Sequence, residues 1–386
     1  MADFASRFDG VTGSAIREIF KIINQPGMIS FAGGNPAKEA LEDARVARLA
    51  SDVLERDGKR ILQYGSSEGW AELKEAALDF LKERGVPARE NSILPMTGST
   101  QSIDLICKAL INPGDAIIVE NPSFLGAFQT MRLYQARLIP AETDERGVIP
   151  DALEDAIKRE HPKFIYLIPT FQNPTGVTLP LERREAVAAL AAKHNVYIVE
   201  DDPYRDLRYT GEPLPPIASF DKAGRVLYLA SFSKLISPGL RVAIAVCEPE
   251  LMRKLVVGKQ STDLHNDQLA QAIVAEYLTR GYLPGHLNDL RALYGVQLSH
   301  MLAGLDALGL EHTNPEGGLF VWVKLPAGDS ALALLERAIE RKVAFVPGTH
   351  FYCNGGHKNT LRLNFSNSSP EIIDRGIQSL GEALRA

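Results

Sequence analysis

The stretch Leu229-Ala-Ser-Phe-Ser-Lys-Leu-Ile-Ser-Pro-Gly-Leu-Arg241 joins two apolar runs and carries several reactive side chains between them. The flanking runs, 226–229 and 241–246, are typical of strands buried on both faces of a parallel sheet. Lys234 follows the first strand, where partial loss of water lowers the pKa of an amine toward that of a usable nucleophile. The hydroxyls and Arg241 beside it suit an anion, most naturally a phosphate. Since an isolated stretch of this kind is usually a solvated surface loop, its meaning depends on the rest of the chain.

Apolar strands alternate with amphipathic helices over most of the chain, and polar loops follow the strands. The loops that carry functional side-chain types are 97–101, 120–124, 169–176 and 200–204. The alternation predicts an α/β fold with a mostly parallel sheet covered by helices, and ligands of such sheets bind at the carboxyl ends of the strands. Past Pro249 the pattern changes to helices and then to a smaller α+β unit. We predict an N-terminal arm, residues 1–40, that packs with the small domain or the active site, a large domain, residues 41–283, and a small C-terminal domain, residues 284–386.

Composition and charge narrow the class of protein. With 386 residues, 45% of them hydrophobic, and a net charge of -6, the chain is typical of a globular enzyme and nucleic acid is disfavoured as a partner. The cysteines, Cys107, Cys247 and Cys353, lie far apart and are interpreted as free thiols of a reducing cytoplasm. The N-terminal segment has no apolar core like that of a signal peptide, and no apolar run approaches membrane-spanning length. We therefore expect a cytoplasmic protein that binds neither nucleic acid nor membranes.

Several nucleotide, metal and acyl-transfer motifs are absent from the sequence. No two glycines are separated by a single residue, which excludes a G-x-G-x-x-G fingerprint, and no Gly-Lys pair is followed by Ser or Thr, which excludes a Walker A loop. There is no H-E-x-x-H and no C-x-x-C, so a zinc site has no support and we predict no metal. The S-x-x-K of penicillin-recognising acyl enzymes does occur at 231–234, but the S-x-N and K-T-G motifs that must accompany it do not.

Pyridoxal 5'-phosphate explains more of these side chains than any other cofactor. It needs a lysine for its aldehyde, a cradle for its phosphate, an anion for its pyridine nitrogen and donors to its phenolate oxygen. Lys234 is the candidate imine-forming amine, and Asp201, after a buried strand, needs a cation such as a pyridinium as its partner. The helix that opens after Gly98 directs unpaired N–H groups at an anion. The candidate cofactor ligands are Ser99, Thr100, Ser231 and Arg241 for the phosphate, Asn173 and Tyr204 for the phenolate oxygen, and Phe124 for the ring face.

The chain resembles the fold-type I, class I/II pyridoxal-phosphate aminotransferases over nearly its full length. The matching residues are Tyr64, 98–101, 173–176, 201–204, 231–234 with 238–241, and Arg362. The resemblance implies transamination, with Lys234 as the cofactor-bound lysine and proton shuttle and Asp201 on the pyridine nitrogen. It also implies a homodimer in which Tyr64 reaches the partner's site, and Arg362 as the bidentate ligand of the substrate α-carboxylate. Neighbouring Asp202 is expected to be structural, because the family's aspartate lies three residues before the tyrosine. Two roles stay open for Ser233, a contact with the phosphate and a capping residue.

The substrate is the least determined feature. Segments 14–17 and 31–34 resemble the subgroup of 2-aminoadipate, kynurenine and aromatic aminotransferases, in which an N-terminal segment covers the site. We therefore expect Gly34 and Arg17 near the substrate, with Arg17 either meeting an acidic side chain or being a surface charge, and 2-oxoglutarate as amino acceptor. Two alternatives stay open: β-elimination on the same scaffold, and a non-catalytic effector-binding domain. The latter is disfavoured because the segment before Ser14 is too short for a DNA-binding module.

Overall fold

Short buried strands and longer amphipathic helices make up the chain. The computed structural model describes residues 4–9 and 27–386, so the predictions about Arg17 and its segment lie outside the described residues. The strands are β1 Ile29–Ser30, β2 Ile93–Met96, β3 Ala116–Val119, β4 Arg137–Pro140, β5 Thr143–Asp144, β6 Gly147–Val148, β7 Phe164–Leu167, β8 Tyr197–Asp201, β9 Val226–Ser231, β10 Ala243–Val246, β11 Glu311–His312, β12 Phe320–Lys324, β13 Val343–Ala344, β14 Val346–Pro347 and β15 Thr360–Asn364. The helices are α1 Asp43–Ile61, α2 Ala71–Glu83, α3 Gly98–Leu110, α4 Leu125–Leu133, α5 Pro150–Glu160, α6 Leu181–His194, α7 Pro249–Gln260, α8 Gln268–Thr279, α9 Tyr282–Ala307, α10 Ala331–Glu340 and α11 Pro370–Arg385.

A seven-stranded sheet with the order β2-β10-β9-β8-β7-β3-β4 is the centre of the larger part of the chain. Strand β10 runs antiparallel to both of its neighbours, and the other pairs are parallel. Every residue of β2, β3, β7, β9 and β10 is buried, as expected for strands covered on both faces. The predicted α/β fold with a mostly parallel sheet is confirmed.

Five polar loops meet at one edge of this sheet because six of its seven strands point the same way. Strands β2, β3, β7, β8 and β9 all run in one direction, so the residues that follow them converge at a common edge. Helix α3 begins there at Gly98, directly after β2, and its unpaired N–H groups therefore face the same edge.

A second, antiparallel sheet with the order β11-β12-β15-β14 lies in the C-terminal part. The 26-residue helix α9 precedes it along the chain. Residues 29–31 join this part: β1 pairs with β13, and the carbonyl of Phe31 accepts a hydrogen bond from Asn364 N over 2.7 Å. On this separation of the two sheets we propose the division predicted from the sequence, with residues 41–283 and 284–386 as the two domains.

Two observations bear on the environment of the protein. All three cysteines are free thiols. In the part of the chain that the structure describes, no helix combines the length and the apolar character needed to cross a membrane.

Candidate active site

Lys234 lies in the turn that follows β9, and its side chain is largely enclosed. Its Nζ donates a hydrogen bond to the carbonyl of Gly34 over 2.6 Å. Burial, together with the positive charges of Arg241 and Arg362, lowers the pKa of Lys234 from 10.5 to about 8. The sequence places Gly34 200 residues away, yet the pairing of residues 29–31 with the C-terminal sheet brings its carbonyl to the lysine. At neutral pH the unprotonated fraction of this amine is therefore larger than that of a solvent-exposed lysine.

Asp201 is the last residue of β8 and is fully enclosed. Its Oδ2 accepts a hydrogen bond from the Tyr166 hydroxyl over 2.8 Å, while its Oδ1 is buried without a partner. Burial raises the pKa of Asp201 from 3.8 to about 6, against the opposing effects of the Tyr166 and Ser99 hydroxyls. The adjacent Asp202 faces another set of partners, since it accepts from the Tyr228 hydroxyl over 2.9 Å and lies 3.6 Å from Arg205. Both carboxylates keep one buried oxygen without a hydrogen-bond partner, but Asp202 already has Arg205 as its cation, whereas within residues 4–9 and 27–386 no cation lies within ion-pair distance of Asp201.

The N-terminus of α3 and Arg241 form a close-packed cradle. Gly98 has a φ of +79°, and a Cβ atom there would collide with Nη2 of Arg241. The Arg241 guanidinium donates over 3.4 Å to the carbonyl of Thr97 and over 3.3 Å to the Ser233 hydroxyl, which are both long hydrogen bonds. The Ser99 hydroxyl oxygen is buried without a partner. Arg241 and the helix N-terminus thus face each other with hydrogen-bonding capacity to spare.

Ser231 and Thr100 complete the predicted set of phosphate ligands at different depths. Ser231 ends β9, is buried, and its hydroxyl accepts from the backbone N–H of Ser233 over 3.3 Å. Thr100 lies on the first turn of α3 and is exposed. Both are on the strand-end edge that carries Gly98 and Lys234.

Arg362 is a buried guanidinium in the middle of β15. Only 4% of it is exposed, and it donates to Oδ1 of Asn173 over 2.8 Å and to the carbonyl of Ala32 over 2.6 Å. Its Nε is buried without a partner. Within residues 4–9 and 27–386 no carboxylate lies within ion-pair distance of it, and burial lowers its pKa from 12.5 to about 10. The rings of Phe320 and Phe351 lie 4.2 and 4.8 Å from its central carbon, so aromatic faces hold the positive charge in place.

Tyr204 and Asn173 lie side by side next to this guanidinium. Burial raises the pKa of the Tyr204 phenol well above its ordinary value, whereas Arg362 and the Asn173 amide act in the opposite direction. The Tyr204 ring also packs edge-on against Phe320, with 5.9 Å between ring centroids. The structure therefore brings together Lys234, Gly34, Asn173, Tyr204 and Arg362.

Phe124 and Tyr64 lie apart from these contacts within the single chain. Phe124 precedes α4, and its ring lies over Gly126, where a Cβ atom would be 2.5 Å from the ring. Tyr64 is 79% exposed, and its ring lies edge-on to the His265 ring with 6.0 Å between centroids.

Sequence reasoning missed the residues that position these groups. Tyr166 lies inside the fully buried strand β7, and a hydroxyl in such a strand needs a partner, which is a usable signal. Phe320 and Phe351 were indistinguishable from ordinary core aromatics, because nothing in their spacing indicates a cation between them.

The arrangement defines a class of protein. A buried amine of lowered pKa, a carboxylate with an unpaired oxygen and an anion cradle lie at one edge of an α/β sheet, as pyridoxal phosphate requires. Residues 26–380 match the family model described as aminotransferase class I and II.

Individual relatives agree with this match over nearly the whole chain. The chain is 38% identical over 391 residues to aromatic-amino-acid aminotransferase 1 of Thermococcus litoralis, covering 99% of this chain and 94% of that protein. It is 40% identical to the alpha-aminoadipate aminotransferase of Thermus thermophilus, whose crystal structure is complexed with N-(5'-phosphopyridoxyl)-L-leucine. That match has a TM-score of 0.92 and covers 99% and 97% of the two chains. It is 36% identical to the kynurenine aminotransferase of Pyrococcus horikoshii, with a TM-score of 0.95 and coverage of 99% and 96%.

The chain belongs to the class I and II aminotransferases and is a pyridoxal-phosphate-dependent transaminase. The family, fold and cofactor predicted from the sequence are thereby confirmed.

Proposed function

We propose that this transaminase moves an amino group from an L-amino acid with a large side chain, either 2-aminoadipate-like or aromatic, to 2-oxoglutarate. The named activities of its relatives, which act on aromatic amino acids, α-aminoadipate or kynurenine, support this substrate class. The α-carboxylate common to all these substrates needs one fixed cation in the site.

Arg362 is the observation that carries the proposal. A buried guanidinium is costly unless an anion pairs with it, and among the described residues it has only carbonyl and amide partners. Its planar N–H groups match a carboxylate in a bidentate manner. We assign Arg362 to the substrate α-carboxylate, with Asn173 holding one edge of the guanidinium and the rings of Phe320 and Phe351 holding its faces.

The cofactor fits the remaining unpaired groups. The buried oxygens of Ser99 and Asp201 lack partners, and the first suits a phosphate while the second suits the protonated pyridine nitrogen. Gly98 leaves room for the Arg241 guanidinium against the helix N-terminus, where a larger residue would collide with it. We assign the phosphate to Ser99, Thr100, Ser231 and Arg241, the pyridine nitrogen to Asp201, the phenolate oxygen to Asn173 and Tyr204, and one ring face to Phe124.

The reaction needs a base that is near the substrate and unprotonated. Pyridoxal phosphate supplies an aldehyde that links covalently to an amine and a protonated ring that accepts an electron pair. Lys234, with a pKa of about 8, is suited first to hold the cofactor and then, once released, to take the proton from the substrate α-carbon through Nζ. The Gly34 carbonyl, 2.6 Å from Nζ, accepts a hydrogen bond from this amino group and holds it in place after its release. Asp201 keeps the ring protonated because a buried carboxylate with an unpaired oxygen stabilises a neighbouring cation.

The proposal includes a homodimer and a cytoplasmic location. Leu62 and Tyr64 are 81% and 79% exposed in a loop whose Gln63 carbonyl accepts a hydrogen bond from Gln268, and this exposure supports a role for the loop against a second copy. We infer that Tyr64 reaches the cofactor of the partner subunit. Three free thiols support a reducing compartment. Arg17 is proposed as the cation that meets an acidic substrate side chain.

A panel of amino donors with 2-oxoglutarate tests the substrate class. We expect kcat/KM to be highest for 2-aminoadipate, kynurenine or an aromatic amino acid, and a maximum at alanine or aspartate would contradict the proposal. Lys234→Ala should abolish turnover and the absorbance of lysine-bound cofactor. Product that forms without any 2-oxo acid would indicate β-elimination instead. Arg17→Ala should lower kcat/KM for 2-aminoadipate and leave that for leucine unchanged.

A further inference from the structure

Lys259 is a fully buried lysine outside the groups assigned above. It lies in the last turn of α7, is 0% exposed, and its Nζ donates to the two oxygens of Asp263 over 2.9 and 3.0 Å. The backbone N–H groups of residues 262–264 all donate to its carbonyl, so the chain wraps around it as the helix ends. The Asp263 carboxylate is partly exposed, so the ion pair itself adds little net stability. The significance of the pair therefore lies in what it holds.

The third partner of the Lys259 ammonium is Gln101. Oε1 of Gln101 accepts from Lys259 Nζ over 3.4 Å, from Asn266 Nδ2 over 3.1 Å and from the backbone N–H of Thr97 over 2.7 Å. Its Nε2 donates to Asp263, so both ends of the amide are fixed. Three donors on one oxygen hold the Gln101 side chain in a single orientation on the first turn of α3.

Gln101 also holds Thr97, the residue directly before the cradle. Its N–H is bound by Gln101, its hydroxyl accepts from Asn266, and its carbonyl accepts from Arg241. The next residue is Gly98, which has no space for a Cβ beside the Arg241 guanidinium. A shift of Thr97 would therefore change the distance between the helix N-terminus and Arg241, the two sides of the proposed phosphate site.

We propose that Lys259 is a positioning residue for the cofactor phosphate, acting through Gln101 on the Thr97–Gly98 turn and never touching the ligand itself. This inference rests on the proposed use of the cradle by the phosphate. Loss of the Lys259 ammonium should weaken binding of the phosphate group specifically. The other proposed ligands, Lys234, Asp201 and Arg362, lie outside the Thr97–Gly98 turn and should be unaffected.

The test compares pyridoxal phosphate with pyridoxal, which has the same aldehyde and ring but no phosphate. Both are titrated into the cofactor-free full-length chain, and binding is followed by the absorbance of the lysine-bound form. Lys259→Met should weaken the affinity for pyridoxal phosphate roughly tenfold and that for pyridoxal by less than about twofold. The tenfold figure is the lower end of the loss seen when a residue that positions a metal ligand is removed. Lys254→Met, an exposed lysine on the same helix, is the matched control and should change neither value. Arg241→Ala gives the reference for loss of a direct phosphate ligand.

The outcomes separate this inference from the assignment on which it rests. If the unaltered chain and Arg241→Ala bind the two compounds equally well, the phosphate assignment itself is wrong. The unaltered chain should prefer pyridoxal phosphate. If Lys259→Met then lowers the affinity for both compounds by the same factor, or lowers neither affinity, Lys259 does not position the cradle. Should Lys259→Met fail to fold, Gln101→Met decides by the same ratio, because it removes the link and leaves the Lys259–Asp263 pair in place.

Discussion

Arg362 and Asn173 form a hydrogen bond of 2.8 Å that joins the four-stranded sheet to a loop of the seven-stranded sheet. Arg362 lies on β15 of the small antiparallel sheet, and Asn173 lies in the loop that follows β7 of the large sheet. The same amide neighbours the Tyr204 phenol, whose pKa it lowers against the effect of burial. On the proposed assignments, one side chain would therefore link the carboxylate site at Arg362 to the phenolate site at Tyr204.

Arg362→Lys should weaken recognition of every amino acid substrate. A lysine ammonium cannot reproduce the planar pair of donors, and loss of a buried charged hydrogen bond costs about 3 kcal/mol, or roughly 150-fold in kcat/KM. Steady-state kinetics with the preferred donor measure the effect. Arg337→Lys, where the guanidinium binds the carbonyl of Ala383 away from the site, is the control and should leave kinetics unchanged. An unaltered kcat/KM in Arg362→Lys would refute the carboxylate assignment.

Asp201→Asn should move activity and stability in opposite directions. Loss of a buried charge pair costs about 3–5 kcal/mol, so kcat should fall roughly 10²- to 10⁴-fold. In the cofactor-free chain the pKa of Asp201 is raised from 3.8 to about 6, so its contribution to stability is present below the lower value and is lost as pH rises through the higher.

The stability arm of this prediction is read from melting temperatures. The cofactor-free Asn variant should melt higher than the unaltered chain at about pH 7.5, and this difference should shrink at about pH 4. Asp155→Asn on exposed α5 surface is the control. With the cofactor bound the order should reverse, and a variant that is less stable in both forms would argue against an unpaired carboxylate.

Modification of Lys234 by a carbonyl compound should have its midpoint at a lower pH than modification of an ordinary lysine. Burial lowers its pKa to about 8, so the unprotonated amine becomes abundant as pH rises through that value. Reduction with borohydride after brief exposure to pyridoxal, followed by peptide mapping, measures modification of Lys234 against pH. The midpoint is expected near the lowered pKa, and a midpoint near the ordinary lysine value would show that the amine is solvated.

Gly98→Ala tests the close approach of Arg241 to helix α3. Both Gly98 and Gly114 have positive φ, +79° and +89°, so alanine at either strains the backbone by about 1 kcal/mol. Only at Gly98 would the new methyl group collide with a side chain, the Arg241 guanidinium. Gly98→Ala should therefore release cofactor much faster on dialysis, whereas Gly114→Ala should lower only the melting temperature. Equal cofactor retention in the two variants would contradict the assignment of Arg241.

The sequence predicted those parts of the fold that depend on burial along single strands. Strands such as β7 and β9 are unbroken apolar runs, and burial on both faces is what such runs indicate. Strand β4 escaped notice because it is the sheet edge and is only partly buried, so its residues show neither a run nor an alternation. Contacts between distant segments, such as Gly34 with Lys234, leave no local pattern at all.

The direction in which a side chain points was also beyond prediction from the sequence. Arg362 alternates with Leu361 and Leu363, which alone indicates an outward-facing residue, yet it is buried because residues 29–35 and the loop after β7 cover that face. Lys259 gave no signal either, since a lysine at a helix end is ordinarily solvated. Only the resemblance to a family pointed to Arg362, and nothing pointed to Lys259.

Leu62→Glu should break the proposed dimer without unfolding the chain. Leu62 is 81% exposed, and the loop around it is fixed by Gln268, whose Nε2 donates to the carbonyl of Gln63 and whose side chain leaves no space for a Cβ at Gly65. A loop that presents an apolar side chain beside exposed Tyr64 fits an interface between copies, where a buried charge opposes association.

Sedimentation equilibrium should show a lower mass for this variant, and activity should fall with dilution because Tyr64 no longer reaches the partner's cofactor. Leu332→Glu, at a residue 56% exposed on α10, should remain associated and active. If Leu62→Glu keeps the mass of the unaltered protein, the 62–64 loop lies outside the interface and Tyr64 loses its proposed role.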